Sequence, residues 1–404
     1  MLENPCYEHA RELLLSNTST ADAECIPLSD CGGRVLAQDL IAQENVPAFD
    51  RSPYDGYALR AADTALASKE HPVALRILEE IPAGSVPTKE ITAGTAAKVF
   101  TGAPIPQGAD VVVMYEKTVF TDHSVMLFAP LKAGDNIVRT GEDICKGSIL
   151  AKRGTVIDAG LAGTLSAQGV AQPFVFKKPR VALISTGSEL VEADAVPKAG
   201  KIRNSNRYML EAQLKQLGCE PIYLGIAGDS VADISALLSK GLTDCDAIIT
   251  TGGVSVGDYD LTPAAMEASG VEVLFRGVDM KPGMACAYGV KGGKLICGLS
   301  GNPASALTNF YTVALPALKK LTGQSVYMPQ EIQVTLSNGF SKRSPKTRFL
   351  RGKLELNNGT VCMSLPKDQG NVVLSSTIGC NVMAVVPAGS GPLEAGTVLK
   401  GFLL

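Results

Sequence analysis

The sequence predicts a multidomain chain that combines an α/β domain with β-rich domains, and three observations carry that expectation. Strand-like and helix-like stretches alternate from residue 180 to 320. Short β-branched runs parted by Pro and Gly fill residues 61–139 and return over 326–404. The length of 404 residues exceeds one ordinary core, so about two to four domains are expected.

The first 50 residues open with an apolar period at Ala10, Leu13 and Leu14 that predicts a helix over 7–16. Asn4 ahead of Pro5 reads as its capped start. A second short amphipathic piece, 31–40, leads to the extended Val46-Pro47 segment. Tyr54-Asp55-Gly56-Tyr57 has the composition of a turn, with Arg51 and Arg60 on either side. Strands are expected at 73–80, 97–100, 109–116 and 125–127, and a helix at 159–169.

From 180 onward strands are expected at 181–185, 221–226, 246–251 and 294–299, and helices at 206–217, 230–240, 263–269 and 303–321. That alternation implies a mostly parallel sheet covered on both faces, with ligands beyond the carboxyl ends of its strands. Residues 326–404 show strands and turns with no further helix.

Composition narrows the chemistry. The net charge is −3 with no long basic tract, which disfavours nucleic acid as a partner. No run reaches the roughly 20 apolar residues of a membrane span. The start, MLENPCYEHARELLL, lacks the pattern of a signal peptide, so a cytoplasmic protein with reduced cysteines is expected. The 10 cysteines form no C-x-x-C pair and there are only 3 histidines, a poor inventory for structural zinc. Carboxylates, cations and backbone amides are left to do the chemistry.

Three Gly-rich turns follow strands: STGSEL, TTGGVSVGDYD and GLSGNPAS. Converging on one sheet edge, they nominate Ser185, Gly187, Gly252, Gly253, Ser255, Gly301, Asn302, Pro303 and Ser305 as ligand contacts. Glycine admits bare N–H groups to an anion, and Asn302-Pro303 reads as the start of a helix whose dipole favours phosphate. Asp55, Asp143, Glu189, Asp229, Asp258 and Asp260 all lie in or beside turns, and Mg²⁺ takes one or two such carboxylates while keeping waters. Taken singly, each is better read from spacing as a solvated turn residue. Lys281 beside Pro282-Gly283 can pair with an anion, and Arg348 and Arg351 are planar forks suited to oxyanions or to surface pairing.

Taken together, FDRSPYDGYALR, TGAPIPQGADVVV, TGEDI, STGSEL, IRNSNRYML, GGVSVGDYD, MKPG, LSGNPASA and RFLRG, in this order, resemble the MoeA-type molybdopterin molybdenumtransferases, the family that includes the E domain of gephyrin. The resemblance spans essentially the whole chain. It implies an α/β/α three-layer molybdopterin-binding domain at 180–325, an inserted β-rich domain at 51–139, a mixed N-terminal and linker domain at 1–50 with 140–179, and a C-terminal β-barrel at 326–404.

It also implies a homodimer with a cleft shared between subunits. Molybdopterin adenylyltransferase and molybdenum-enzyme chaperones would be partners. The substrates would be adenylylated molybdopterin and molybdate, or tungstate, with Mg²⁺ as cofactor: the phosphoanhydride is hydrolysed, AMP leaves, and the metal enters the dithiolene. Carried over by position, the functional residues are Asp55, Asp143, Asp229, Asp260 and Lys281 in catalysis. Glu189, Asp229 and Asp260 would hold the metal, and Thr101 and Arg351 would join the ligand contacts.

Two positions depart from the family pattern. The lysine turn reads KPGMA, with Met284 where the family carries a cation, and the C-terminal domain reads DQGN, with Asn371 in place of a serine. Loss of one charge-assisted contact to an oxyanion is worth about 1.5–3 kcal/mol. A binding or scaffold protein of the gephyrin kind, or a hydrolase of another adenylylated ligand, are the alternatives. Lys201 and Arg276 are the candidates to replace the missing cation.

Overall fold

A computed structural model describes residues 1–255, 261–357 and 359–404. The chain forms two compact units, one of Met1–Gln38, Arg153–Ala159 and Gln172–Leu404, the other of Asp39–Lys152 and Gly160–Ala171.

In the first unit a seven-stranded sheet runs in the order Leu2–Glu3, Glu272–Arg276, Ala287–Lys291, Lys294–Leu299, Ala247–Thr251, Arg180–Thr186, Glu220–Ala227. The last four are mutually parallel, whereas Ala287–Lys291 is antiparallel to both of its neighbours. Side chains alternate as a strand requires. Val181, Leu183, Ala247 and Ile249 pack on one face with helices Tyr7–Ser16, Ser205–Gln216 and the segment from Pro303 to Leu321. Ala182, Ile184 and Ile248 pack on the other with Val231–Asp244 and Thr262–Ala268. The domain is therefore the expected three-layer α/β/α.

The C-terminal strands Thr347–Asn357, Thr360–Ser364, Glu331–Leu336, Val398–Leu403 and Val382–Val386 pair in sequence, and the last returns to the first. Closure leaves no edge and encloses Val334, Leu350, Met363 and Val382. The two-residue strand Met280–Lys281 adds to this barrel, Met280 opposite Thr347 and Lys281 opposite Arg348. The second unit is built on a six-stranded sheet in the order Val111–Met114, Gly56–Leu59, Thr95–Val99, Val73–Ile81, Ser124–Leu127, Thr118–Phe120.

Several local expectations are corrected. Asn4 does not cap the first helix: it adopts a left-handed φ of 47°, donates to Arg276 O at 2.9 Å and continues the edge strand, while Cys6 holds the cap position. The amphipathic piece 31–40 forms no helix, because Gly32-Gly33 interrupts it and Leu36 and Ala37 donate to Thr155 and Phe174 instead. The turn at Tyr54-Asp55 gives way to strand at Gly56, where any Cβ would lie 2.0 Å from Val113 O. The helix from Pro303 is broken into Pro303–Asn309, a π turn Phe310–Ala314 and Leu315–Leu321. Pro316 has no N–H to give to the preceding turn, and the chain widens there. A single 3₁₀ turn, Leu374–Thr377, interrupts the C-terminal region, where no helix was expected.

Candidate functional site

The parallel strands end at Thr186, Ala227, Thr251 and Leu299, and the turns that follow line one cavity of about 800 Å³. That size is in the range of small-molecule sites. Thr186, Gly187, Glu189, Asp229, Gly252, Gly253, Ser255, Gly301, Asn302, Pro303 and Ser305 all line it. Ser185 lies just beneath, buried, and accepts from Asn204 Nδ2 at 2.8 Å.

Glycine is required where the turns meet. Gly252 has φ of 95°, and a Cβ there would sit 2.6 Å from Thr186 Oγ1. Thr186 Oγ1 donates to Thr251 O at 3.1 Å and Thr262 Oγ1 to Gly252 O at 3.0 Å, so two hydroxyls fix the turn from below. At Gly187, φ 132°, a Cβ would collide with the Glu189 carboxylate, which folds back over it. The N–H of Ser188 donates to both oxygens of Asp229, at 3.2 and 3.3 Å, which ties the turn of one strand to the turn of its neighbour. Glu189 and Asp229 are both exposed on this wall. Asp258 and Asp260 lie outside the described residues.

Gly283, Met284 and Ala285 and the barrel's Asn371, Val372 and Leu374 also line the cavity. Asn371 accepts from the N–H of Ala304 at 3.2 Å, so one amide at the start of that helix is committed to the barrel rather than open to a ligand. Asn302 occupies the cap position without a side-chain capping bond. Lys281 is exposed and is not among the residues lining the cavity. Arg351 is 1% exposed and lies behind the Asn371 loop, its Nη2 donating to Gly370 O at 3.3 Å and Ser376 Oγ at 3.0 Å. Its Nε and Nη1 are buried without a partner. Burial lowers its pKa, yet a guanidinium starts so high that it stays a cation. A buried cation with unpaired donors is an arrangement that an anion would relieve.

In the second unit, Asp55 Oδ1 accepts from Thr101 twice, N–H at 2.7 Å and hydroxyl at 2.9 Å. These bonds hold the Asp55 carboxyl below the ordinary carboxylate range. Asp143 is exposed, and its N–H donates to Val46 O at 3.0 Å.

The segment IRNSNRYML supplies much of the wall, although none of its residues stands out from the sequence as a ligand contact. Ile202, Arg203, Asn204, Ser205 and Asn206 all line the cavity. Asn204 caps the helix by accepting from Arg207 N, a role that Asn-Ser-Asn before an apolar period signals. Asn206 Nδ2 donates to Gly301 O at 2.8 Å, joining two of the turns, and its Oδ1 is buried without a partner. Arg207 is clamped by Glu192 at 2.6 Å and stacks 3.7 Å over Tyr223.

Among the described residues, no helix is long and apolar enough to cross a membrane, and no cluster of three or more metal-ligating side chains is present. Residues 6–169 match the MoeA N-terminal region (domains I and II), 182–320 a probable molybdopterin binding domain, and 333–403 the MoeA C-terminal region (domain IV). The chain is 37% identical over 391 residues to a molybdopterin molybdenumtransferase of Staphylococcus aureus (strain MRSA252), covering 96% of this chain and 93% of that one. It is 38% identical over 389 residues to one of Bacillus subtilis (strain 168), covering 95% and 90%. The crystal structure of the molybdopterin biosynthesis moeA protein from Pyrococcus horikoshii OT3 superposes with a TM-score of 0.85 at 32% identity, over 99% of this chain and 100% of that one.

Proposed function

The chain belongs to the MoeA family of molybdopterin molybdenumtransferases, and on that premise we propose that it is an enzyme of molybdenum cofactor biosynthesis that inserts molybdate into adenylylated molybdopterin with Mg²⁺-dependent release of AMP. The observation that carries this reading is one cavity lined together by the Gly-rich turns, by exposed carboxylates and by the barrel loop that covers buried Arg351. A phosphoanhydride and an oxyanion need these groups.

The turns at Gly187, Gly252 and Gly301 let the ligand approach the backbone, and Ser255 and Ser305 offer hydroxyls beside them. Asn206 presents an acceptor at the seam of two turns. Asp229 holds the Ser188 turn and so fixes Glu189 on the same wall. That pair suits Mg²⁺, which takes one or two carboxylates together with phosphate oxygens, and Asp260 would join them. When bound, the ion neutralises the anhydride and favours attack by water at phosphorus. Arg351 stabilises negative charge from beneath the barrel loop, where low polarity strengthens its field. Asp55, Asp143, Thr101 and Lys281 complete the proposed machinery on the strength of the family resemblance. A homodimer with a shared cleft, working beside an adenylyltransferase, belongs to the same proposal.

The test is AMP release from adenylylated molybdopterin with Mg²⁺ and either no oxyanion, molybdate or tungstate. Release stimulated by molybdate is expected. Tight binding with no release under any condition overturns the transferase in favour of the binding-protein alternative, which the uncharged Met284 favours.

A further inference from the structure

We propose that Lys346, reaching over from the barrel, is the specificity-determining cation at the oxyanion end of the cavity. This inference rests on the transferase reading above, in which that end receives molybdate.

The wall formed by the turn after Lys281 carries no charge of its own. Met284, 47% exposed, is its one long side chain, and a thioether offers an oxyanion no donor. Lys346 Nζ nevertheless lies 3.5 Å from Met284 Sδ. The ammonium is thus in contact with a lining side chain.

The placement is built in by register. Met280 pairs with Thr347 and Lys281 with Arg348, so residue 346 must stand beside residue 279. Asp279 holds the ammonium at 2.7 Å. The chain just before is anchored, because Ser344 is fully buried, accepts from Arg348 Nε at 2.9 Å and donates through its N–H to Ser390 O at 2.9 Å. Both partners of the Lys346–Asp279 pair are over two-fifths exposed, so the pair is weak and the lysine free to turn toward an arriving dianion.

Arg351 serves the same end from beneath the barrel loop, but it is buried there and does not touch Met284's wall of the cavity, and the remaining cations are committed elsewhere. Lys201 donates to Ser188 O at the acidic lip of the cavity. Arg348 is buried, bonded to Ser344 and packed 5.1 Å over Phe340. Arg203, which lines the cavity, donates through Nε to Ala193 O at 3.0 Å. Neither Arg276, like Lys201 a candidate from sequence, nor Lys346 is itself part of the lining, and Lys346 reaches the cavity through its contact with Met284. A lysine on a different domain therefore replaces the charge that position 284 lacks. Because Asp279 competes for it, the site should prefer the doubly charged tetrahedral oxyanions over singly charged ones.

The experiment is calorimetric binding of molybdate alone and of tungstate alone to the full chain. Lys346→Gln should weaken both by about tenfold, and Lys346→Arg should hold affinity within about threefold. Met284→Lys in the Lys346→Gln background should restore binding, which repair of a merely misfolded barrel would not do. Asp279→Asn should tighten binding in the wild-type background and lose most of that effect once Lys346 is gone. Molybdate affinity of Lys346→Gln within twofold of wild type overturns the inference. If wild type itself neither binds molybdate nor releases AMP, the transferase reading falls and this one with it. Wild type that does both, with Lys346→Gln unchanged, defeats the lysine assignment alone.

Discussion

The carboxylate of Asp55 takes both hydrogen bonds that Thr101 can donate, from backbone N–H at 2.7 Å and from hydroxyl at 2.9 Å. Both residues are exposed, so the pair fixes the orientation of an acid that water would otherwise leave free.

Thr101→Val removes the hydroxyl and keeps the amide. The Asp55 pKa, now below the ordinary value, should rise part of the way back, as read by NMR titration of the side-chain carboxyl. A depressed carboxyl favours the folded state above its unfolded pKa and ceases to do so as pH falls through its folded pKa. The variant should therefore lose less stability than wild type on acidification. An unmoved pKa would mean that the amide alone sets it.

Asp229→Ala deprives the Ser188 N–H of its acceptor and loosens the turn that carries Glu189. The Mg²⁺ concentration for half-maximal AMP release should rise by about tenfold, the weight of about 1.4 kcal/mol. An unchanged Mg²⁺ dependence would remove Asp229 from the ion's site.

Gly252→Ala places a methyl 2.6 Å from Thr186 Oγ1 and 2.7 Å from Thr186 O, at φ 95°. Chemical denaturation should show a loss of about 1–3 kcal/mol, with ligand binding weakened as the turn shifts. Unaltered stability would show that the two turns yield easily.

Arg351→Met tests stability against function. A desolvated guanidinium with unpaired Nε and Nη1 contributes little to folding, so replacement by an apolar chain of similar length should leave stability within about 1 kcal/mol of wild type or raise it. Molybdate affinity should nonetheless fall by about tenfold or more. A large loss of stability with intact anion binding would make Arg351 a structural residue.

Much of the α/β domain was legible because its signals are local. Ala247 to Thr251 is apolar on both faces, as a buried parallel strand must be, and glycines mark the turns beyond it. The acidic wall could be read for the same reason, since Glu189 and Asp229 lie within a few residues of their strand ends. What escaped depends on distant partners. Leu2–Glu3 is a strand only because Glu272–Arg276 offers it an edge. Gly56 begins a strand because Val113 crosses where a side chain would be. Lys346 looks like any solvated lysine in SKRSPK until the pairing of Met280 with Thr347 brings it to Met284.

The strand Met280–Lys281 leaves the α/β domain yet hydrogen-bonds to the barrel, and the barrel's Asn371 clasps Ala304. One cavity wall is thus hung from two domains at once. Melting of the barrel and loss of the oxyanion should therefore be a single cooperative event, and a ligand that grips this wall should raise the melting temperature of a domain that holds none of the Gly-rich turns.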